Sequence, residues 1–586
     1  MPPTQTKSNM RIIISLLSCA AALALYAQDD NRLTLSGSVQ SDMLLPQSDS
    51  DIGAEKAEDF QTNTYVDLRL QQKYFEAGAR FEYLEHPLPG FESDFKGWGV
   101  RHYWVKGKLN RDGRSAEITL GSLYDQFGSG FILRTYEERP LGIDNALMGG
   151  RVVLKMLPGV TLKALSGTQR QYWHFNHGLV SGTDAELNID EWLPAMQKSA
   201  TRLTIGASWV NKYEAPNYLE KTVKLPSPTG YTYTTYSITQ PEYVNAWDVR
   251  ANLNVKDFSL LAEYAQKGDD PSQANGYTYG KGNVAMLSAS YSRKGLSLLL
   301  QTKRSENMSF KSQRARLGIA AAINHLPAFT QDHTYALAAL YPYATQLADG
   351  EWAYQAELGY NFRRKTALGG KYGMNVKVNY SYVRAIDRTF NDGAATAKLA
   401  MTNNTYAGTE PYTSKFFKWG PQTYYQDLDI QLSRKMSRAF KLNLMYMNQR
   451  YNKAVVEGEG GMIHSNIFVA DGKYQFSPKT TLRMEAQYLA TKQDEGSWAF
   501  ALAELSLAPH WMFTLSDMWN CGDSDPETRS DNTHHHYYQA LVTFNAGGHR
   551  LQAGYGRTRA GFNCSGGVCR WIPAQKGFTL SYNYSF

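Results

Sequence analysis

Long apolar runs are scarce in this sequence. Beyond residue 27 no uncharged apolar stretch reaches eighteen residues, so no helix of the mature chain is available to cross a bilayer. Cysteine is scarce as well, with four in 586 residues at positions 19, 521, 564 and 569, and their spacing offers no credible metal-ligand set. Neither sign of charge dominates: 61 basic and 54 acidic residues are too balanced to argue for nucleic acid. The catalytic signatures that can be read from sequence are also missing. There is no zinc-protease helix motif, P-loop, nucleophile elbow or dinucleotide fingerprint, so no enzymatic activity, cofactor or metal centre is expected.

The N-terminus is better defined. Lys7 and Arg11 precede "IIISLLSCAAALALYA", residues 12–27 without a charge, and "QDD" follows. A basic start, a short apolar core and a small residue before polar sequence make a secretory signal peptide of residues 1–27, cleaved after Ala27. "LLSC", ending at Cys19, offers a competing lipoprotein signal, but the apolar run continues well past that cysteine. Removing residues 1–27 takes away two basic and no acidic residues and leaves a net charge of +5 on the mature chain, 28–586. An exported chain can form disulfides: Cys564 and Cys569 in "CSGGVC" could close a small loop, or all three remaining cysteines could stay unpaired.

The rest of the chain is written in steps of two. Its last residues, "FTLSYNYSF", place Phe578, Leu580, Tyr582, Tyr584 and Phe586 on one side and Thr579, Ser581, Asn583 and Ser585 on the other. "TYVDLRL" (64–70), "YFEAGARFEY" (74–83), "NVKVNYSY" (375–382), "KLNLMYM" (441–447) and "TLRMEAQY" (481–488) repeat the alternation. Mean hydropathy is low, −0.46, as expected where one strand face is apolar and the other lines a wet interior. Tyrosine outnumbers phenylalanine, 39 to 24, which suits aromatic girdles at a membrane boundary. Connections alternate in phase with the strands. Short turns at 110–114, 158–159, 256–257, 294–295, 477–480 and 546–549 are interleaved with long polar loops such as 45–60, 125–145, 214–241 and 387–420.

These features predict an all-β fold, a large antiparallel transmembrane β-barrel of about 26 strands within a range of roughly 22–26. The count includes weak strands near 180–190 and 310–345. The first strand begins a few residues after cleavage and the last ends the sequence, so no separate plug or periplasmic domain is expected. The final segment resembles the C-terminal signal strand of outer-membrane barrels, which implies an insertion signal at Tyr582, Tyr584 and Phe586 and, as partners, outer-membrane lipids and the barrel assembly machinery.

A barrel this wide needs something to narrow it. The best candidate is "LGSLYDQFGSGFILRTYEERPLGIDNALMGGRV", residues 120–152, where charges of both signs could set a field across a constriction. Its candidate pore residues are Tyr124, Asp125, Gln126, Arg134, Glu137, Glu138, Arg139, Asp144 and Arg151. Asp67, Arg69, Glu76, Arg80, Glu82, Arg483 and Glu485 are expected to line the lumen walls. A second stretch, "LPAFTQDHTYALAALYPYATQ" (326–346), could line the pore or bind an apolar ligand, but is read first as a turn followed by a lipid-facing strand. In "DNTHHHYY" (531–538), His534 and His536 could share a strand face and meet Asp531 or Cys521, though a solvated loop rim is the simpler reading.

The 120–152 and 326–346 stretches resemble the two most recognisable segments of a family of uncharacterised Bacteroidota outer-membrane β-barrel proteins. In that family a "FYxQFGxG…LR…E…LGIDNAL.G.RV"-like segment is followed much later by a "PAxTxxHTYxLAxLYPYAT"-like one, and here Leu123 replaces the first aromatic. The resemblance implies the outer membrane of a Gram-negative cell and no particular activity. The functional expectation is therefore a porin-like channel or transporter passing small polar solutes through a loop-narrowed lumen. The alternative is the barrel component of an export or assembly complex, with a lipoprotein partner in or under the lumen.

Overall fold

A computed structural model describes residues 33–227, 230–391, 406–522 and 534–586. Residues 1–27, where a signal peptide is expected, and Asp531 lie outside the described residues. Twenty-four strands form one antiparallel sheet in which each pairs with its neighbours in the chain. The first, Thr34–Pro46, pairs with Gln61–Gln72 on one side and with the last, Gln575–Ser585, on the other, so the sheet is a closed barrel. That lies within the expected range of 22–26 and is two fewer than the central count of 26. The strand near 180–190 exists as His174–Asn188, but 307–350 contributes no strand to the wall.

An even number of strands, each paired to the next, brings both ends of the sheet to the same rim. The tight connections lie at that rim: 73–74, 112–113, 256–257, 294–295, 478–479 and 547–548. Asp112 and Gly113 both have positive φ, 50° and 77°, the backbone that lets a two-residue turn follow the twist of its strands. Longer connections occur there as well, at 189–200 and 363–373. The opposite rim carries the long loops, with one tight connection at 172–173. Cys564 and Cys569 are joined in a disulfide across a loop hairpin at that rim, and Cys521 is a free thiol.

Because the wall is one sheet thick, the alternation sorts directly into outside and inside. In Thr480–Ala490 the outward Met484 is 60% exposed, while the inward Glu485 and Gln487 are buried. Outward Leu120, Leu287, Leu300 and Leu515 belong to an apolar belt with no protein over it. Exposed aromatics gather at both edges of the belt: Trp209, Trp247 and Trp419 toward the long loops, and Phe476, Trp511, Phe513 and Phe586 toward the short turns. A belt between two girdles is the exterior that a spanning barrel requires.

The hydrophobic core lies inside the ring. Segments 124–146 and 307–350 fold into the lumen, where Phe127, Phe131, Phe310, Phe329, Leu337, Tyr341 and Tyr343 are buried. They pack on inward wall residues Val180, Val210, Val244, Ala353, Met447 and Ile467. Two expectations are corrected here. Residues 326–346 form an inserted plug segment and no lipid-facing strand, because Pro327 and Pro342 interrupt the run and its middle coils into a turn, with Ala339 N donating to Tyr335 O at 3.0 Å. The lumen wall is also not polar throughout, since its inner face turns apolar where these segments dock.

At the seam, Gly37 and Phe586 exchange two backbone hydrogen bonds, of 3.1 and 3.0 Å. The Phe586 ring lies so close over Gly37 that a Cβ there would sit 2.6 Å from it. Deleting Phe586 should cost about 2–3 kcal/mol, from two hydrogen bonds and a half-buried ring. The urea midpoint of the folded barrel in detergent should fall accordingly, and an unchanged midpoint would remove Phe586 from the account of closure. Gly37→Val should weaken the seam in the same direction.

Candidate functional site in the occluded lumen

Segment 124–146 leaves the wall after Leu123 and returns at Leu147. Gly128 and Gly130, with φ of 52° and 95°, turn its tip against the wall strand Phe258–Lys267, where a side chain at 128 would sit 2.5 Å from Glu263. Ser129 donates its backbone N–H (2.9 Å) and its hydroxyl (2.5 Å) to the Glu263 carboxylate.

Behind the tip, the charges of the segment are taken up by partners. Arg80 grips Glu137 with both terminal nitrogens, at 2.5 and 3.0 Å, and donates to Asp67 at 2.6 Å. Arg139 donates to Glu137, Asp67 and Gln40 and lies over the Tyr65 ring. Arg170 holds Glu82 with two bonds and Asp144 at 2.6 Å, and Asp144 also accepts from the Tyr124 hydroxyl at 2.8 Å. Arg151 reaches Asp125 at 3.2 Å and pairs with Glu117. Burial lifts the Glu137 carboxyl above the ordinary range despite Arg80 and Arg139. Burial pushes Asp144 the same way, but Arg170 and His102 prevail and hold it below that range.

The remaining sequence candidates are placed as follows. Gln126 folds back on Gly128 O at 2.8 Å. Arg134 packs over the Tyr136 ring, and its backbone N–H donates to Ile323 O. Glu138 lies in a two-residue hairpin opposite Ile143. Arg69 pairs with Glu76, which also meets Lys108. Arg483 and Glu485 pair on the strand Thr480–Ala490, with Asp471 beside them, and neither hydrogen-bonds segment 124–146 among the described residues. The charges at 134–144 are thus largely spent on docking.

Segment 307–350 completes the occlusion. Asn324 donates to Phe131 O at 2.9 Å and to Met308 O at 2.7 Å, and His325 N donates to Gly130 O at 3.0 Å, tying the two segments together. Burial drives the His325 imidazolium pKa down to about 3, so the ring stays neutral. Farther along, the wall reads the backbone of the segment: Gln487 accepts from Leu337 N at 2.8 Å, and Gln449 donates to Tyr341 O at 3.1 Å. His333 meets Asp427 at 3.1 Å. Sequence reasoning missed these docking residues because a glutamine at an inward position reads as generic lumen polarity. The only available signal was that residues 326–346 keep no period of two.

Cavities remain above and below. One of about 450 Å³ runs beside the seam, lined by Gln40, Asp42, Arg139, Gln552 and Ser581. Another, of about 790 Å³, opens at the short-turn rim, where Lys294, Arg363, Arg364, Lys435, Arg438 and Lys441 are its charged lining residues.

Arg170→Ala should leave Glu82 and Asp144 buried without their main partner, at a cost of about 3–5 kcal/mol. The loss should appear first as protease cleavage within 124–146 while the barrel itself still resists unfolding in SDS. A segment as resistant as in the parent protein would show that the ion lattice does not hold it.

The fold is similar to several solved barrels. It overlays the siderophore receptor PirA of Pseudomonas aeruginosa at 9% identity and a TM-score of 0.38, covering 94% of this chain and 80% of that one. A mutant of the ferric enterobactin receptor PfeA of the same organism matches at 10% identity and a TM-score of 0.41, with 94% and 81% covered. The outer-membrane protein opdK, also of Pseudomonas aeruginosa, matches at 12% and 0.34, with 72% and 94% covered. No curated protein matches the sequence. Residues 9–586 match a family of unknown function, DUF6029, and the chain belongs to that family.

Proposed function

We propose that this protein is an outer-membrane channel or transporter for small polar solutes in a Gram-negative envelope, with a pore that opens when an inserted segment yields. The observation that carries this reading is how the lumen is closed. A ring of 24 strands is far wider than its own side chains can fill, and the space is taken by two loop segments docked on the wall. Permanent closure needs no such width. A wide ring with a detachable filling suits passage. The apolar belt and its two girdles support residence in a bilayer, with the short turns facing the periplasm. Tyr582, Tyr584 and Phe586 would then present the insertion signal to the barrel assembly machinery, the last of them lying on the seam. The basic cavity at the short-turn rim favours anionic over cationic solutes.

Planar-bilayer recording tests the proposal. The parent barrel should show small or intermittent conductance, and a variant with 326–346 replaced by a short Gly/Ser linker should show a larger and steadier one. Arg139→Ala removes a positive charge from the seam cavity and should shift selectivity toward cations. Silence from both the parent and the linker variant would overturn the channel. Silence together with a lipoprotein copurifying in stoichiometric amount would favour the export or assembly reading.

A further inference from the structure

The lumen wall holds many buried acids, and most face a guanidinium or an ammonium group. Asp184 faces Arg250, Glu82 faces Arg170, Asp270 faces Lys212 and Arg314, and Asp471 faces Arg483. Asp427 and Asp429 do not follow this pattern. They stand two residues apart on the strand Trp419–Lys435, so both point inward, and both are fully buried. Among the described residues neither forms an ion pair with a lysine or arginine, and the nearby Lys377 is paired with Glu357 at 2.8 Å.

Asp427 is well provided with donors. Its Oδ1 accepts from Asn379 and from Ser381 N, and its Oδ2 meets the Tyr425 hydroxyl and His333 Nε2. Asp429 is not. Its Oδ1 accepts from Gln431 at 3.0 Å, but its Oδ2 is buried with no partner. An orphaned carboxylate oxygen beside a second buried carboxylate is costly while both are ionised, and a cation between them removes that cost. His333, Asp427 and Asp429 each bring one ligand atom, and these atoms lie within 4.8 Å of one another.

We propose that these three side chains bind a divalent first-row transition-metal cation such as Zn²⁺, which clips the inserted segment to the barrel wall. One imidazole nitrogen and two carboxylate oxygens form a donor set that suits Zn²⁺. Ligands at about 2.0–2.2 Å from zinc lie roughly 3.3–3.5 Å apart in a tetrahedron. The His333 and Asp427 atoms are already 3.1 Å apart, and a rotation of Asp429 brings in the third. His333 also lines a cavity of about 320 Å³, together with Gln331, Tyr341 and Tyr425, from which water could reach a metal held there. Gln331 Oε1 is another buried acceptor without a partner, and it lines the same cavity, where it could accept a hydrogen bond from a bound water. His333 comes from the segment and both acids from the wall, so metal affinity and docking of the segment are one linked equilibrium. The sequence hid the site, since its histidine and first acid are 94 residues apart.

The test is zinc binding to the folded, detergent-solubilised mature barrel after EDTA treatment, followed by calorimetry and by metal content after desalting. The parent should retain one equivalent more zinc than either His333→Ala or Asp429→Ala. This difference also cancels any zinc held by the histidines at 534–536. Zinc should slow protease cleavage within 326–346 in the parent and leave both variants unchanged. Metal-free Asp429→Asn should be at least as stable as the metal-free parent, because the orphaned charge is gone. Equal zinc content in the parent and both variants would overturn the site. None of these readouts involves conductance, so failure here leaves the channel proposal standing, and a silent barrel leaves the metal site standing.

Discussion

The structure depends on closing a ring of backbone hydrogen bonds. An open sheet of this length would expose a row of unpaired N–H and C=O groups along each edge, and in hydrocarbon each such group costs several kcal/mol. Thr34–Pro46 and Gln575–Ser585 remove both edges at once by pairing from Ser38 opposite Ser585 to Pro46 opposite Gly577. Because these strands come from opposite ends of the sequence, the seam is the least local contact in the molecule. Its geometry is fixed by a glycine that admits an aromatic ring.

Closure at 24 strands creates the second constraint, which is volume. The inward face of each strand must carry side chains that tolerate whatever fills the ring. The protein meets this in two ways. Where the filling is charged, the wall supplies complementary charge, as Arg80, Arg170 and Asp67 do for Glu137, Asp144 and Arg139. Where the filling is apolar, the wall turns apolar, as at Val210, Ala353 and Met447. Buried ion pairs of this kind contribute little net stability, but breaking one is expensive, so they fix the position of the segment more than they strengthen the fold.

How much of this could be read in the sequence follows from the range of each interaction. Alternation is local, and it marked the strands, the outward face of Phe578, Leu580 and Phe586, and the tight turns on one rim. The first plug segment was visible because Gly128, Gly130 and a dense mix of charges broke the pattern. Their partners were not visible: Arg170, Glu82 and Glu263 look like ordinary lumen positions until the fold brings them together. The second segment was misjudged because aromatic-rich sequence suits a lipid-facing strand and a buried plug equally well. Its two prolines and its missing period of two were the local signs against a strand, and its place in the lumen depends on contacts more than a hundred residues away, such as Gln487 with Leu337.

The two ways of docking also divide the filling into parts that differ in how readily they can leave. Residues 307–325 belong with the first segment, since Asn324 and His325 bond to Phe131 and Gly130, and Arg314 is anchored on Asp270. Residues 326–346 lean on the opposite wall through neutral bonds with Gln449 and Gln487, through the hydroxyls of Tyr335, Tyr341 and Tyr343 on Asp471, Asp494 and Glu351, and through backbone carbonyls that accept from Lys303 and Arg559. Among the described residues His333 with Asp427 is the one ion pair that 326–346 makes with the wall, whereas undocking the first segment would break the pairs of Asp125, Glu137, Arg139 and Asp144. Of the two, 326–346 is the part that can move while the wall and the ion lattice stay intact. Its side-chain anchor on a wall carboxylate that lacks a lysine or arginine partner is His333 on Asp427.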